Sequence, residues 1–90
     1  MALAHERVSV GTTATRLSSQ YAGKDGQTVS VQNPSTTVTV YIGGVGVTTT
    51  SYGYALGTSS DMSVDLQNGE ELYGVVASST LTVNILRQGV

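Results

Sequence analysis

Leu56–Arg87 reads LGTSSDMSVDLQNGEELYGVVASSTLTVNILR, three strand-like runs separated by very short connections. Val64 and Leu66 alternate with Ser63 and Asp65, the two-residue period of a strand with one buried face. Asn68-Gly69, a pair that tolerates the positive φ angles of a tight hairpin turn, leads into Leu72–Val76. Ser78-Ser79-Thr80 turns the chain again into Leu81–Leu86. Leu72–Ala77 is apolar on both faces, as an interior strand is. The stretch holds no histidine, cysteine or lysine. It reads as a segment that folds and presents a surface.

The same pattern extends upstream. Val29 and Val31 alternate within Thr28–Asn33, and Val38, Val40 and Ile42 alternate with Thr37, Thr39 and Tyr41. Asn33-Pro34-Ser35-Thr36 between them is a turn, because proline fixes φ and keeps the residue before it out of the helical region. These segments are expected to form a hairpin. Val8 and Val10 give a first short strand, and Ala14–Leu17 a second extended piece. Gly23-Lys24-Asp25-Gly26 is a turn, and Gly43-Gly44-Val45-Gly46 ends a strand. Thr48–Tyr54 reads as a polar loop or weak edge strand.

No window keeps helical spacing over three turns. The expected fold is all-β: a small antiparallel β-sandwich or jelly-roll-like barrel of about six to eight short strands. Residues 8–90 form its single domain, preceded by a flexible N-terminal arm over residues 1–7, which carry no periodicity. Parity assigns Val8, Val10, Val29, Val31, Val38, Val40, Ile42, Val64, Leu66, Leu72, Val76, Leu81, Val83 and Ile85 to the core.

Ninety residues make a small core. A chain of this size buries roughly 60–65 % of its unfolded surface, so its stability is modest. Small scaffolds often add disulfides, a metal or a partner. The absence of cysteine excludes disulfides and thiolate metal sites, and a lone His5 disfavours zinc. Oligomerisation or docking on a larger body is left.

Charged residues are 11 % of the chain, against about 25 % in an average domain. Serine and threonine carry the polarity instead, and β propensity alone favours threonine on open strand faces. The net charge of −2, the scattered Arg7, Arg16, Lys24 and Arg87, and the absence of phenylalanine and tryptophan disfavour nucleic-acid binding. MALAHERV does not resemble a signal peptide, and no apolar run approaches the ~18 residues of a membrane span.

Catalytic constellations are weak. Asp61, Asp65, Glu70 and Glu71 cluster around the Asn68-Gly69 turn. A glycosidase needs two carboxylates across a cleft, and a calcium site more oxygen ligands than this spacing guarantees. The glycine run at residues 43–46 lacks the lysine and helix of a phosphate-binding loop. A serine nucleophile needs a base, and His5 is the only histidine. The reading is therefore not an enzyme, with no catalytic, cofactor or metal residues. Tyrosine supplies all the aromatic content. Its rigid ring and satisfiable hydroxyl suit interfaces, or the ends of a sandwich. His5, Arg7, Tyr41, Tyr52 and Tyr54 are the candidate protein-contact residues.

The order VSVGTTATRL, GQTVSVQN, VTVYIGGVGVTT, YGYAL and DMSVDLQNGEELYGVVASSTLTVNIL resembles small virion structural proteins of tailed bacteriophages. The resembling motifs fall on Val40–Gly44, Gly46–Thr48, Asp65–Gly74 and Ala77–Val83, and the likeness spans nearly the whole chain. The related proteins are similar to capsid decoration, or cement, proteins. The resemblance implies a protein on the capsid exterior of a virion, made in the host cytoplasm. It further implies a homotrimer bound to the major capsid protein, with no cofactor, nucleic acid or membrane. It carries no catalytic residues. The alternative is a tail or fibre module that recognises a host surface glycan or protein through Thr48–Tyr54. A small hydrolase or a cupin-like metal enzyme is a third class, disfavoured by the single histidine.

Overall fold

A computed structural model describes residues 3–18, 27–67 and 70–88. The turns expected at 23–26 and 68–69, and Tyr21, lie outside the described residues. Among the described residues there are eight strands and no helix: β1 Leu3–Val10, β2 Thr15–Arg16, β3 Gln27–Gln32, β4 Val40–Gly43, β5 Tyr54–Leu56, β6 Asp61–Leu66, β7 Tyr73–Val75 and β8 Leu81–Gln88.

The strands form two four-stranded antiparallel sheets, ordered β1-β8-β3-β6 and β2-β7-β4-β5. The pairing is nested. β1 pairs β8, β2 pairs β7, β3 pairs β6 and β4 pairs β5. This is one long hairpin, folded at β4–β5 and wound up so that successive strands mostly alternate between sheets. Eight strands wound in this way make a jelly roll, which confirms the sandwich expected from the sequence. The Cα radius of gyration is 12.1 Å, close to the ~12 Å of a compact chain of this length.

The nesting corrects the local hairpins. Thr28–Asn33 and Thr37–Ile42 do not pair: β3 lies in the first sheet and β4 in the second. The turn at Asn33-Pro34 is a crossing between layers. Asn33 is fully buried there. Its Nδ2 donates to the carbonyls of Val38 (2.9 Å), Leu56 (3.1 Å) and Gly57 (3.1 Å), and its Oδ1 accepts from Ser35 N (3.0 Å). One amide thus ties the β3–β4 and β5–β6 connections together. β6 and β7 likewise lie in different sheets, as do β7 and β8. The interior position read for Leu72–Ala77 holds, since β7 sits between β2 and β4.

The arm assigned to residues 1–7 also changes. From Leu3 onward it is β1, in register from Leu3↔Gln88 to Val10↔Leu81. The segment lacks an alternating pattern because β8 supplies its order through the ladder. Arg87, on β8, closes this end of the core. Its Nε and Nη2 donate to Leu17 O at 3.1 and 3.0 Å, and its Nη1 lies 2.7 Å from Glu6 Oε1.

The core is aliphatic. Val10, Val29, Val31, Leu66, Leu81, Val83 and Ile85 from the first layer meet Leu17, Val40, Ile42, Leu56, Leu72 and Val76 from the second. Val8, Val38 and Val64 are only partly buried. Leu17, Val47, Leu56 and Val75 are buried without having been assigned by parity. Gly74 faces the core. A Cβ there would lie 3.1 Å from Leu17 Cδ1 and 3.4 Å from Val40 Cγ2.

Candidate functional site

Two outer faces remain. On the second sheet, Tyr41 and Gly43 point away from the core because Val40 and Ile42 point into it. Val75 pairs with Tyr41 and Tyr73 with Gly43, so both share this face. Residues 44–53, which join β4 to β5, fold onto it. Gly46 takes φ +90°, which a side chain resists. Val47 N donates to Gly44 O (3.1 Å), Thr48 N to Ser51 O (2.8 Å) and Ser51 N to Thr48 Oγ1 (2.9 Å). Gly53 N donates to Ile42 O (2.9 Å), continuing the β4–β5 ladder.

Val47 is buried against Gly43, where a Cβ would come within 2.9 Å of Val47 Cγ2. A glycine is therefore required under the loop. The Tyr52 ring packs on Tyr41 with centroids 4.8 Å apart at 50°. The loop is thus fixed by its own hydrogen bonds and a small apolar contact outside the main core. It leaves Val45 85 %, Tyr52 47 % and Tyr54 50 % exposed. Tyr54 opens β5, an edge strand, so the weak edge strand read near Thr48–Tyr54 begins at its last residue.

Beside β7, Arg16 Nη1 lies 3.2 Å from Glu71 Oε2, and Tyr73 Oη donates to Glu71 Oε1 at 3.1 Å. That hydrogen bond, with a smaller part from desolvation and the Glu71 charge, holds the Tyr73 phenol above its ordinary value against the opposing Arg16 charge.

The first sheet presents rows of residues across β1, β8, β3 and β6. Register gives Arg7–Asn84–Gln32–Asp61 in one row and His5–Leu86–Ser30–Ser63 in the next. Asn84 Nδ2 donates to Gln32 Oε1 at 2.8 Å, and the Ser30 and Ser63 hydroxyls meet at 2.7 Å. In a third row Thr28 Oγ1 donates to Asp65 Oδ1 at 2.7 Å. An open depression of about 480 Å³ lies over the first two rows, with Arg7 outside its lining.

The structure therefore divides the five candidate contact residues. His5 and Arg7 lie on the first sheet, Tyr41 and Tyr52 on the second, and Tyr54 on its edge. Val45 and Leu86 escaped the sequence reading. Leu86 was legible from alternation with the core residue Ile85, and Val45 from its glycine neighbours, which leave it no strand to belong to.

The acids do not converge. Asp65 accepts from Thr28, Glu70 Oε1 accepts from Gln67 N at 2.6 Å, and Glu71 engages Arg16 and Tyr73. Among the described residues no three of His, Asp or Glu are grouped to hold a metal ion. Comparisons of the chain with protein-family models, curated proteins and solved structures return no match. The fold and faces define a small all-β jelly-roll domain.

Proposed function

We propose that this protein decorates and stabilises the outer surface of a tailed-phage capsid through multivalent protein–protein contacts. The observation that carries this reading is the self-braced loop between β4 and β5. It holds Val45, Tyr52 and Tyr54 outward on a rigid base. Exposed tyrosines on a pre-set loop suit a protein partner, because little ordering entropy is lost when they dock. The resemblance to capsid decoration proteins supports the major capsid protein as that partner and a homotrimer as the bound form. Contacts from several protomers turn weak docking into lasting attachment. Protein bound only to the assembled shell stabilises it by mass action.

The test is to add purified protein to undecorated heads and image them. Added density at regular surface positions is expected, lost with Tyr52→Ala and Val45→Asp together. Bare heads would overturn the reading. A tail or fibre module that recognises a host surface is the second reading, favoured by the same hydroxyl-bearing rings. It would instead give binding to host cells and none to heads.

A further inference from the structure

We propose that the outer face of the first sheet is a binding site for a neutral saccharide, seated over Ser30 and Ser63. The site is independent of the β4–β5 loop and stands whether the protein sits on a head or a tail.

The depression of about 480 Å³ falls within the roughly 300–1,000 Å³ of small-molecule sites. Its origin is a pattern of side-chain size. Two short serines form the floor, ringed by the longer His5, Gln32, Asp61, Asn84 and Leu86.

The lining keeps hydrogen-bonding capacity in reserve. The Ser30–Ser63 contact uses one of two hydroxyl protons. The Asn84–Gln32 bond uses one amide proton and one carbonyl, and leaves Asn84 Oδ1 and Gln32 Nε2 without a protein partner among the described residues. The Asp61 carboxylate and the His5 ring have none there either. A carboxylate, an amide carbonyl, an amide N–H₂ and two hydroxyls thus face one small volume. Adjacent sugar hydroxyls each donate and accept, so they match such a mixed set of planar acceptors and donors. Leu86, 44 % exposed in the same depression, offers an apolar surface to the C–H face of a pyranose ring.

Charge selects the ligand class. Among the described residues the lining has one carboxylate and no lysine or arginine, and Arg7 stands just outside it beside Asn84. The Asp61 carboxylate repels a phosphate or an acidic sugar seated there. Among the described residues the lining also has no tyrosine, tryptophan or phenylalanine ring for a sugar to stack on, so a single site binds in the millimolar range and gains from repetition of the protein in an array.

An NMR titration of the full chain with lactose, maltose and diacetylchitobiose tests the site. Amide shifts are expected at Ser30–Gln32, Asp61–Ser63 and Asn84–Leu86 with at least one of these probes. Asp61→Ala should weaken that binding about tenfold. Ser63→Leu, which fills the floor, should abolish it. Both exposed substitutions should leave the melting temperature near that of the parent. Sialyllactose should bind no better than lactose. The proposal is overturned by an absence of shifts with all three neutral probes, by shifts that map to Tyr52 and Tyr54, or by binding that survives both substitutions.

Discussion

Arg87 reaches from β8 to the carbonyl oxygen of Leu17, with Nε at 3.1 Å and Nη2 at 3.0 Å. The guanidinium is buried, and Glu6 holds its third nitrogen. It links β1, β8 and the chain leaving β2, and so joins the two layers at one end. Arg87→Ala strands the Leu17 carbonyl and costs about 2 kcal/mol. In a domain this small that lowers the melting temperature by roughly 8–16 °C. Glu6→Gln costs less, under about 1 kcal/mol, because Glu6 is half exposed to water. Thermal and urea melts of the two variants check the order, and a larger loss from Glu6→Gln would contradict it.

Asn33 is the corresponding clamp at the other end. Its amide protons face three carbonyls with no water-facing route. Asn33→Ala removes those bonds at a cost of about 3 kcal/mol. Asn33→Asp is worse at neutral pH, because a carboxylate then faces the same carbonyls. Burial and those oxygens raise its pKa, so the protonated form is favoured in the fold. The deficit shrinks as pH falls and grows as pH rises through the raised value. Urea unfolding at acid and neutral pH measures the difference.

Gly43 tests the braced loop. Gly43→Ala drives a methyl into Val47, 2.9 Å from its Cγ2. Overpacking costs about 1–3 kcal/mol. The effect should be local: faster hydrogen exchange at the Val47 and Thr48 amides, with Val29 and Val83 unchanged. Uniform loss of protection would show that the loop is not a separate unit.

Tyr73 reports on the Glu71 cluster. Its phenol is held above the ordinary value by the Glu71 hydrogen bond. The neutral form is favoured in the fold, so its contribution is complete below the unfolded value of about 10 and is lost as pH rises through the folded one. Subtracting the tyrosinate absorbance of Tyr73→Phe from that of the parent isolates this titration. Glu71→Gln should move it downward, and an unmoved titration would remove Glu71 as the cause.

The layers were legible because burial imposes alternation. Val29, Val31, Val40, Ile42, Val83 and Ile85 follow the pleat, and all are buried. Partners were less so. Asn33-Pro34 announces a change of direction, but the same dipeptide serves a hairpin and a crossing between sheets. What decides between them is long-range: Leu56 and Gly57 supply the carbonyls that Asn33 needs. Leu17 was missed because β2 is only two residues long, too short for a period. The first-sheet depression was invisible locally, since Ser30, Ser63 and Asn84 meet only through register. The tyrosine loop was partly readable from its composition. The Tyr41–Tyr52 contact needed the fold.

The place of β8 between β1 and β3 also sets a timetable. A ribosome delivers β1 long before its partner exists. Until residues 81–88 emerge, both β1 and β3 lack a neighbour that they have in the finished sheet. The β4–β5 hairpin is the most local of the four nested pairs, and each pair outside it closes a longer loop. Such non-local pairing places folding in the slow, millisecond-to-second regime of all-β domains. A chain stopped at Thr80 is left with the hairpin and an unfinished first sheet.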